Sequence, residues 1–561
     1  MEKSTQQQLT GGQLIVKALE THGTKRVFCV PGESFLPVLD ALYDSPIDTI
    51  VCRHEGGACM MAEATGKLDG EPGICFVTRG PGSANACAGL HVALQDSTPL
   101  ILFIGQIGVH VREREAFQEV DYRRFLGSTV KWVAEIDHAD RIEEFVSRAF
   151  HTATSGRPGP VALALPETTL AELALSKQAS AWQQVESWPG NTDMQQLARL
   201  LHKAEQPLAI VGGSRWDAAA VESFEQLAQQ WQLPVACSFR RQMLFDHQHP
   251  NYAGDVGIGL NPELRSYISS SDLILLIGGR LSEISSQDYA LLESPFPQQT
   301  LVHVYPGAEE LGRVYQPAIA IQASPKGFIE AWKNIPAPAE MNETRKAQVR
   351  QCHESYSNWS GADAPTPGNV QMREVINTLQ TLLPDDAIIT NGAGNYASWI
   401  HRFWKFRHYG SQLAPTSGSM GYGLPAAIAA GLHQPQRRVI AFAGDGCLQM
   451  TMQEIGTAMQ YGVRVIIIVI DNGIYGTIRM HQERHFPGRI SGTDLINPDF
   501  AAIAVAYGAQ GFTVEQTGEF HAAISAALDA DTASLIHIKT SAEAITPSTT
   551  LSAIRKHATK K

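Results

Sequence analysis

At 561 residues the chain is too long for one hydrophobic core and implies about three domains of roughly 150–200 residues each. A net charge of −12, a pI near 5.9 and the lack of any basic run argue against nucleic-acid or anionic-membrane partners, whose surfaces call for concentrated positive charge. No window approaches the ~20 apolar residues of a membrane span, and the first twelve residues have no apolar core of signal-peptide type, so a cytoplasmic location is expected.

The N-terminal stretch alternates helical and strand patterns. A helix over 14–21 precedes strand 27–30, Pro31-Gly32 and a helix over 35–42. Strand 50–52 leads into a helix over 58–66, and strand 74–78 turns through Gly80-Pro81-Gly82-Ser83 into a helix reaching His91. Another buried strand occupies 100–104. Such alternation implies a mainly parallel sheet covered on both faces. Glu55 stands between strand and helix in Arg53-His54-Glu55-Gly56-Gly57, where a helix dipole favours a carboxylate. Phe117 and Gln118 fall in the charged stretch from Arg112 to Arg124, which on its residues alone reads as a solvated loop. Strand 161–165 closes a first domain expected over 1–180, and the polar segment 176–193 reads as a linker.

A second α/β unit is expected over 190–335, with strands at 208–211, 234–237, 273–277 and 301–304 separated by amphipathic helices. Gly278-Gly279-Arg280 follows the third of these and by itself marks only a turn. Pro336, Pro338, Pro365 and Pro367, with little apolar periodicity between them, make 336–368 a connection. The third domain is expected over 369–548, with a tail at 549–561. Its first strand, 387–390, runs into Asn391-Gly392-Ala393-Gly394-Asn395-Tyr396, small residues and amides that suit a phosphate cradle.

Residues 437–476 carry the clearest chemistry. An apolar strand ends in Gly444-Asp445-Gly446, whose glycines allow a tight turn and close approach of a ligand. Thr451 and Glu454 form a capping-box pattern ahead of an apolar stripe of Met452, Ile455 and Met459. The β-branched run 463–470 ends at Asp471-Asn472-Gly473. Asp445 and Asn472, 27 positions apart, thus fall at the carboxyl ends of two strands joined by one helix, where open α/β sheets bind ligands. With the Ile474 carbonyl they offer three oxygens to a hard cation such as Mg²⁺, which completes its shell with phosphate oxygens and water. The Gly-Asp-Gly tripeptide alone is equally a plain βα turn. None of the eight cysteines has CxxC spacing, and they read as small buried hydrophobes; Cys447, at a helix start, offers its backbone N–H to an anion.

Gly444-Asp445-Gly446 followed at this distance by Asn472 resembles the thiamine diphosphate signature of the acetolactate synthase and pyruvate decarboxylase superfamily. The resemblance is colinear, extending to Pro31-Gly32 with Leu36-Pro37-Val38, the Arg53-His54-Glu55 segment, Gly80-Pro81-Gly82 with Asn85, and Phe117-Gln118-Glu119. It implies an α/β chain of three doubly wound parallel-sheet domains: pyrimidine-binding, central, and diphosphate-binding. It implies Mg²⁺ on Asp445, Asn472 and the Ile474 carbonyl, and Glu55 as the carboxyl group that activates the cofactor's aminopyrimidine. Pro31, Asn85, Gly394, Asn395, Tyr396, Ser419, Met420, Gly446, Cys447, Tyr475 and Gly476 would surround thiamine diphosphate, with Met420 as the wedge that bends it. The resemblance further implies a catalytic role for Gln118 and a substrate pocket lined by Arg79, Phe117, Thr477 and His481.

Three departures stand out: Asp471 replaces the usual first Asn, Arg79 a small residue, and His481 a pocket tryptophan. The activity implied is thiamine diphosphate-dependent decarboxylation of a pyruvate-like 2-oxo acid with carboligation to a second carbonyl. A non-ligating decarboxylase or C–C lyase, and more remotely a noncatalytic cofactor-binding protein, stay open. So does FAD in the central domain, where His303-Val304-Tyr305-Pro306 replaces an aspartate-rich strand end. A homodimer or homotetramer is implied, because in this superfamily Glu55 serves a partner subunit's cofactor. Residues 483–494 read as a lid.

Overall fold

The computed structural model describes residues 8–177, 179–338 and 342–560. It forms two compact units. One comprises Met1–Val185, Leu424–Gln434 and Thr451–Val463; the other comprises Glu186–Gly423, Pro435–Met450 and Arg464–Lys561.

In the first unit an antiparallel ribbon of β1 (Gln8–Thr10) and β8 (Leu173–Leu175) accompanies a six-stranded parallel sheet. The sheet consists of β2 (Arg26–Cys29), β3 (Asp48–Val51), β4 (Gly73–Val77), β5 (Leu100–Gln106), β6 (Trp132–Glu135) and β7 (Pro160–Pro166), in the order β3-β2-β4-β5-β7-β6. Every residue of β5 and β7 is buried, as near-continuous apolar runs between two helical layers should be. Phe35, Phe76 and Phe103 stack in succession, at 5.8 and 4.7 Å between centroids, and tie the layers together. The chain reverses direction between β2 and β4, which opens a crevice at their carboxyl ends.

The second unit holds two further six-stranded parallel sheets. The central one contains β9 (Pro207–Val211), β10 (Val235–Ser238), β11 (Tyr252–Val256), β12 (Leu273–Ile277), β13 (Thr300–Tyr305) and β14 (Ile319–Gln322), ordered β11-β10-β9-β12-β13-β14. The C-terminal one contains β15 (Ile388–Asn391), β16 (Gln412–Leu413), β17 (Val439–Gly444), β18 (Val465–Asp471), β19 (Gln510–Val514) and β20 (Ser534–Lys539), ordered β16-β15-β17-β18-β20-β19. This order repeats that of the N-terminal sheet, with its reversal between β15 and β17. Three doubly wound parallel sheets are thus observed, as the alternation of elements led one to expect.

The proline-flanked span 336–368, read as a connection, contains a 19-residue helix, Glu343–Gly361. Its buried face is thin in apolar residues, with Cys352 and Tyr356 supplemented by Arg345, which is only 4% exposed. The Arg345 guanidinium donates to the Leu201 and Ala204 carbonyls at the end of the helix Asn191–Lys203, where the dipole favours a cation. An arginine on the buried face breaks the apolar rhythm from which a helix is recognised.

Candidate active site

At the reversal between β15 and β17 the chain builds a cradle lined by small residues. Asp445 is the first residue of the short helix Asp445–Leu448, directly after β17, and is 4% exposed. Its Oδ1 accepts the Gly446 N–H at 2.9 Å, and its Oδ2 accepts the Gly473 N–H at 3.0 Å and Asn497 Nδ2 at 2.8 Å. Burial pushes the Asp445 carboxyl up to about 6, against the pull of the Gly446 N–H and Asn497. Asn472 follows β18, its Oδ1 accepting the Ile474 N–H at 3.3 Å. Asp445, Asn472 and Ile474 are therefore brought to adjacent strand ends, as their spacing indicated. Among the described residues no group of three or more His, Cys, Asp or Glu side chains could hold a metal by itself. One carboxylate, one amide oxygen and one carbonyl suit an ion that takes its remaining ligands from a phosphate.

Asp471, the substituted neighbour, belongs to a small buried network. Its Oδ2 pairs with His537 Nε2 at 2.9 Å and its Oδ1 accepts Asn497 Nδ2 at 2.7 Å. Burial opposes the charge on Asp471, but His537, Asn497 and the Gly473 N–H outweigh it and hold its carboxyl below the ordinary range. Asn497 thus bridges both carboxylates.

The cradle walls are equally specific. A Cβ at Gly446 would lie 2.6 Å from the Tyr475 ring, and one at Gly392 would lie 2.5 Å from Cys447 Sγ, so only glycine fits at either place. The buried Tyr396 hydroxyl points inward, accepting the Gly392 N–H at 3.0 Å and lying 3.3 Å from Cys447 Sγ, which also accepts the Gly421 N–H at 3.2 Å. Tyr396 therefore shapes the floor with its hydroxyl already engaged, and the same is true of the Cys447 thiol. Asn395 receives Thr477 Oγ1 at 2.9 Å and donates to Met480 Sδ at 3.5 Å. This joins the Gly394-Asn395 loop to the helix Gly476–His485. Ser419 and the half-buried Met420 border the same floor, Met420 packing on the C-terminal core. His481 is exposed, its ring parallel to that of His485 at 6.2 Å, and partial desolvation of its ring, with the nearby charges of Arg484 and His485, lowers its pKa. The lid expected at 483–494 is anchored at both ends: Glu483 accepts Arg555 Nε at 2.7 Å and the Gly488 N–H at 3.0 Å, while the Tyr475 N–H donates to Thr493 O at 2.8 Å.

In the N-terminal unit Glu55 opens the helix Glu55–Asp69, which is capped by His54 Nδ1 accepting the Gly56 N–H. Asn85 Nδ2 donates to Glu55 Oε2 at 2.9 Å, so these two expected site residues meet. Pro31, exposed after β2, lies at the same edge of the sheet. Arg79 does not offer a free charge: it is ion-paired with Glu167 and reaches the Phe117 carbonyl at 3.5 Å. Gln118 has a left-handed φ of 64°, and its carbonyl accepts the Gly80 N–H at 3.1 Å, which holds the Phe117-Gln118 turn on the 79–82 loop with Phe117 74% exposed.

The capping box expected at Thr451 and Glu454 does not form. The helix there begins without a side-chain cap, and the Glu454 carboxylate, fully buried, turns instead to the Arg53-His54 turn of its own unit. It accepts the Arg53 N–H at 3.1 Å, the His54 N–H at 3.0 Å and Thr457 Oγ1 at 2.6 Å. Two backbone donors just ahead of Glu55 outcompete the local cap because they have no other partner once buried.

Family models of the thiamine pyrophosphate enzymes match all three domains: the N-terminal TPP binding domain over residues 9–125, the central domain over 194–332 and the C-terminal TPP binding domain over 392–538. Acetolactate synthase isozyme 2 large subunit of Escherichia coli (strain K12) is 28% identical over 537 residues, 94% of this chain and 95% of that protein. The probable acetolactate synthase large subunit of Methanocaldococcus jannaschii is 30% identical over 516 residues, covering 89% of this chain and 86% of the relative. The chain belongs to the thiamine pyrophosphate enzymes. Acetolactate synthase of Mycobacterium bovis is likewise 30% identical over 531 residues, 91% of this chain and 84% of that protein. In this thiamine pyrophosphate enzyme the residues missed in sequence are Glu454, Asn497 and His537. Each acts across a long stretch of chain, and no local spacing signals it; the Asp471 substitution was the one visible hint, since a carboxylate offers two acceptor oxygens, here met by His537 and Asn497.

Proposed function

We propose that this enzyme decarboxylates a pyruvate-like 2-oxo acid and joins the two-carbon remainder to a second carbonyl compound, giving a 2-hydroxy-3-oxo acid of acetolactate type. The buried Asp445 beside Asn472 and the Ile474 carbonyl, facing a cradle where only glycine fits, carries the cofactor part of this reading, and relatives named acetolactate synthases support the carboligation. Thiamine diphosphate, when bound, supplies a nucleophilic carbon and a sink for the electrons released with CO₂. Asp445, Asn472 and Ile474 would hold Mg²⁺ on its diphosphate, and the Cys447 N–H at a helix start would donate to a phosphate oxygen. Glu55, oriented by Asn85, holds the proton that sets the cofactor's ring tautomer. Phe117 and Gln118, fastened to the Gly80 loop, exclude water and orient the acceptor, and Thr477 and His481 are assigned to substrate contact.

We propose a homodimer or homotetramer in which Glu55 serves the cofactor held by a partner subunit. Exposed apolar side chains, among them Phe117, Ile478, Phe486 and Ile496, support an assembly that covers them. Among the described residues no helix is long and apolar enough to cross a membrane. All eight cysteines are free thiols, which favours the cytoplasm. At the carboxyl ends of β9 and β12 the glycine turns of the central domain pack closely. Gly212 donates to Ile277 O at 3.0 Å, a Cβ at Gly213 would lie 1.8 Å from Gly278 O, Trp216 Nε1 closes on Gly212 O at 2.9 Å, and Arg241 Nε takes Gly213 O at 3.0 Å. The reaction as proposed has no redox step and needs no flavin.

The test is incubation of the purified enzyme with pyruvate, thiamine diphosphate and Mg²⁺, with products identified by NMR and Glu55→Gln as control. Acetolactate made by the parent and lost in the variant is the expected result. Acetaldehyde in its place would reassign the enzyme to the simple decarboxylases, and no product despite normal cofactor binding would refute a pyruvate-type donor.

A further inference from the structure

Past the end of β10 the central domain continues through Phe239-Arg240-Arg241-Gln242, a turn that the proposed reaction leaves without a role. Arg240 adopts a left-handed φ of 58°, a conformation usually left to glycine or asparagine, although its side chain is large and only 4% exposed. The strained backbone aims that side chain away from the central sheet. The guanidinium donates to the Pro415 carbonyl and lies against the Phe239 ring, with Cζ 4.8 Å from its centroid. Arg241 secures the turn from behind, its Nη1 donating to Arg240 O at 2.9 Å and its Nε to Gly213 O at the end of β9.

Gln242, 1% exposed, adds a second grip. Its backbone N–H donates to Gln412 Oε1 at 2.8 Å, its Oε1 accepts Gln412 Nε2 at 3.1 Å, and its Nε2 donates to the His401 carbonyl at 2.8 Å. The turn therefore fastens the C-terminal domain at Gln412, Pro415 and His401, all within one compact unit. His401 belongs to the helix Ala397–Phe403, directly after Asn395 and Tyr396, and burial followed by the Arg240 charge lowers its pKa to about 3.

Gln412 and Pro415 lead into residues 416–420, the segment that ends in Met420. β16 is a two-residue edge strand with only two paired positions, Ile389 with Gln412 and Thr390 with Leu413. The loop beyond it contains Gly418 and Gly421, both at positive φ. So short a strand and so permissive a loop do not fix Met420 by themselves.

We propose that Arg240 and Gln242 of the central domain are positioning residues for thiamine diphosphate, acting through the 416–420 loop and Met420. The proposal rests on the cofactor reading above. It gives the central domain a part in catalysis that requires no ligand of its own.

The experiment measures thiamine diphosphate affinity of the full-length enzyme with Mg²⁺ by titration calorimetry, and the environment of the bound cofactor by near-ultraviolet circular dichroism. Arg240→Ala is expected to weaken binding by about tenfold or more, and Arg240→Lys to recover part of the loss. The effect that Met420→Ala has in the parent, on affinity or on the cofactor band, should disappear in the Arg240→Ala background, because the two residues act in series. Affinity of Arg240→Ala within about twofold of the parent, or effects of the two substitutions that multiply, would overturn the proposal. If Arg240→Ala does not fold, hydrogen exchange of residues 411–424 in Arg240→Lys decides: faster exchange supports the proposal and unchanged protection refutes it. Failure of the parent itself to bind the cofactor would instead remove the thiamine diphosphate reading, so the two failures are told apart.

Discussion

Replacing Glu454 with alanine tests how the turn ahead of Glu55 is held. The carboxylate is fully buried and accepts two backbone N–H groups, from Arg53 and His54, at 3.1 and 3.0 Å, together with the Thr457 hydroxyl. Hydrogen bonds to a charged group contribute about 1.5–3 kcal/mol each, and alanine leaves both N–H groups buried without an acceptor. A Cβ at Gly57 would meet Glu454 Oε1 at 2.5 Å, so the carboxylate is packed tightly against the helix that Glu55 begins, and its removal opens a void there. The expected cost falls on local opening of residues 52–57 rather than on the whole chain. At 1.5–3 kcal/mol the Arg53 and His54 amides should exchange with deuterium roughly 10- to 100-fold faster. Hydrogen exchange read by mass spectrometry on peptides spanning 50–60 measures this, with peptides from the central domain as internal reference. Glu454→Gln keeps the shape and one acceptor oxygen and should show a smaller increase. Unchanged exchange at 53–54 in Glu454→Ala would refute the argument, as would a uniform increase over the first unit.

Two further outcomes are expected. Burial raises the Asp255 carboxyl to about 7, so the folded chain keeps its proton to near neutrality whereas the unfolded chain releases it near 4. Folding therefore takes up a proton between these values, and stability should fall as pH rises from about 4 to 7; Asp255→Asn should flatten that slope in melting temperatures measured across the range. Mixing inactive Glu55→Gln with inactive Asp445→Asn subunits, after dissociation and reassembly, should restore up to about a quarter of parental activity if each site draws on two subunits. No recovery, with mixed dimers demonstrated by mass spectrometry, would refute the shared site.

What could be read from the sequence was whatever local periodicity or a short motif encodes. Runs such as Leu100–Gln106 and Val465–Asp471 are apolar enough to allow only buried parallel strands, and the Gly-Asp-Gly turn with Asn472 landed on adjacent strand ends. Long-range partners stayed hidden. Glu454 looked like a helix cap because a capping box and a carboxylate bound some 400 residues away have the same local pattern. The ion pair of Arg79 left no local trace because its partner, Glu167, lies 88 positions on. The helix Glu343–Gly361 was hidden by its buried Arg345, a polar residue on the face that periodicity assigns to the core.

The first compact unit is not contiguous: Leu424–Gln434 and Thr451–Val463 complete it from the far end of the chain. During synthesis, then, the N-terminal sheet can assemble once its own strands have left the ribosome, but the surface that receives these two segments stays bare until residue 463 has emerged. The backbone donors of Arg53 and His54 wait for Glu454 throughout that interval. A fragment ending at Val185 would for the same reason leave the Arg53 and His54 backbone donors without the acceptor that Glu454 supplies.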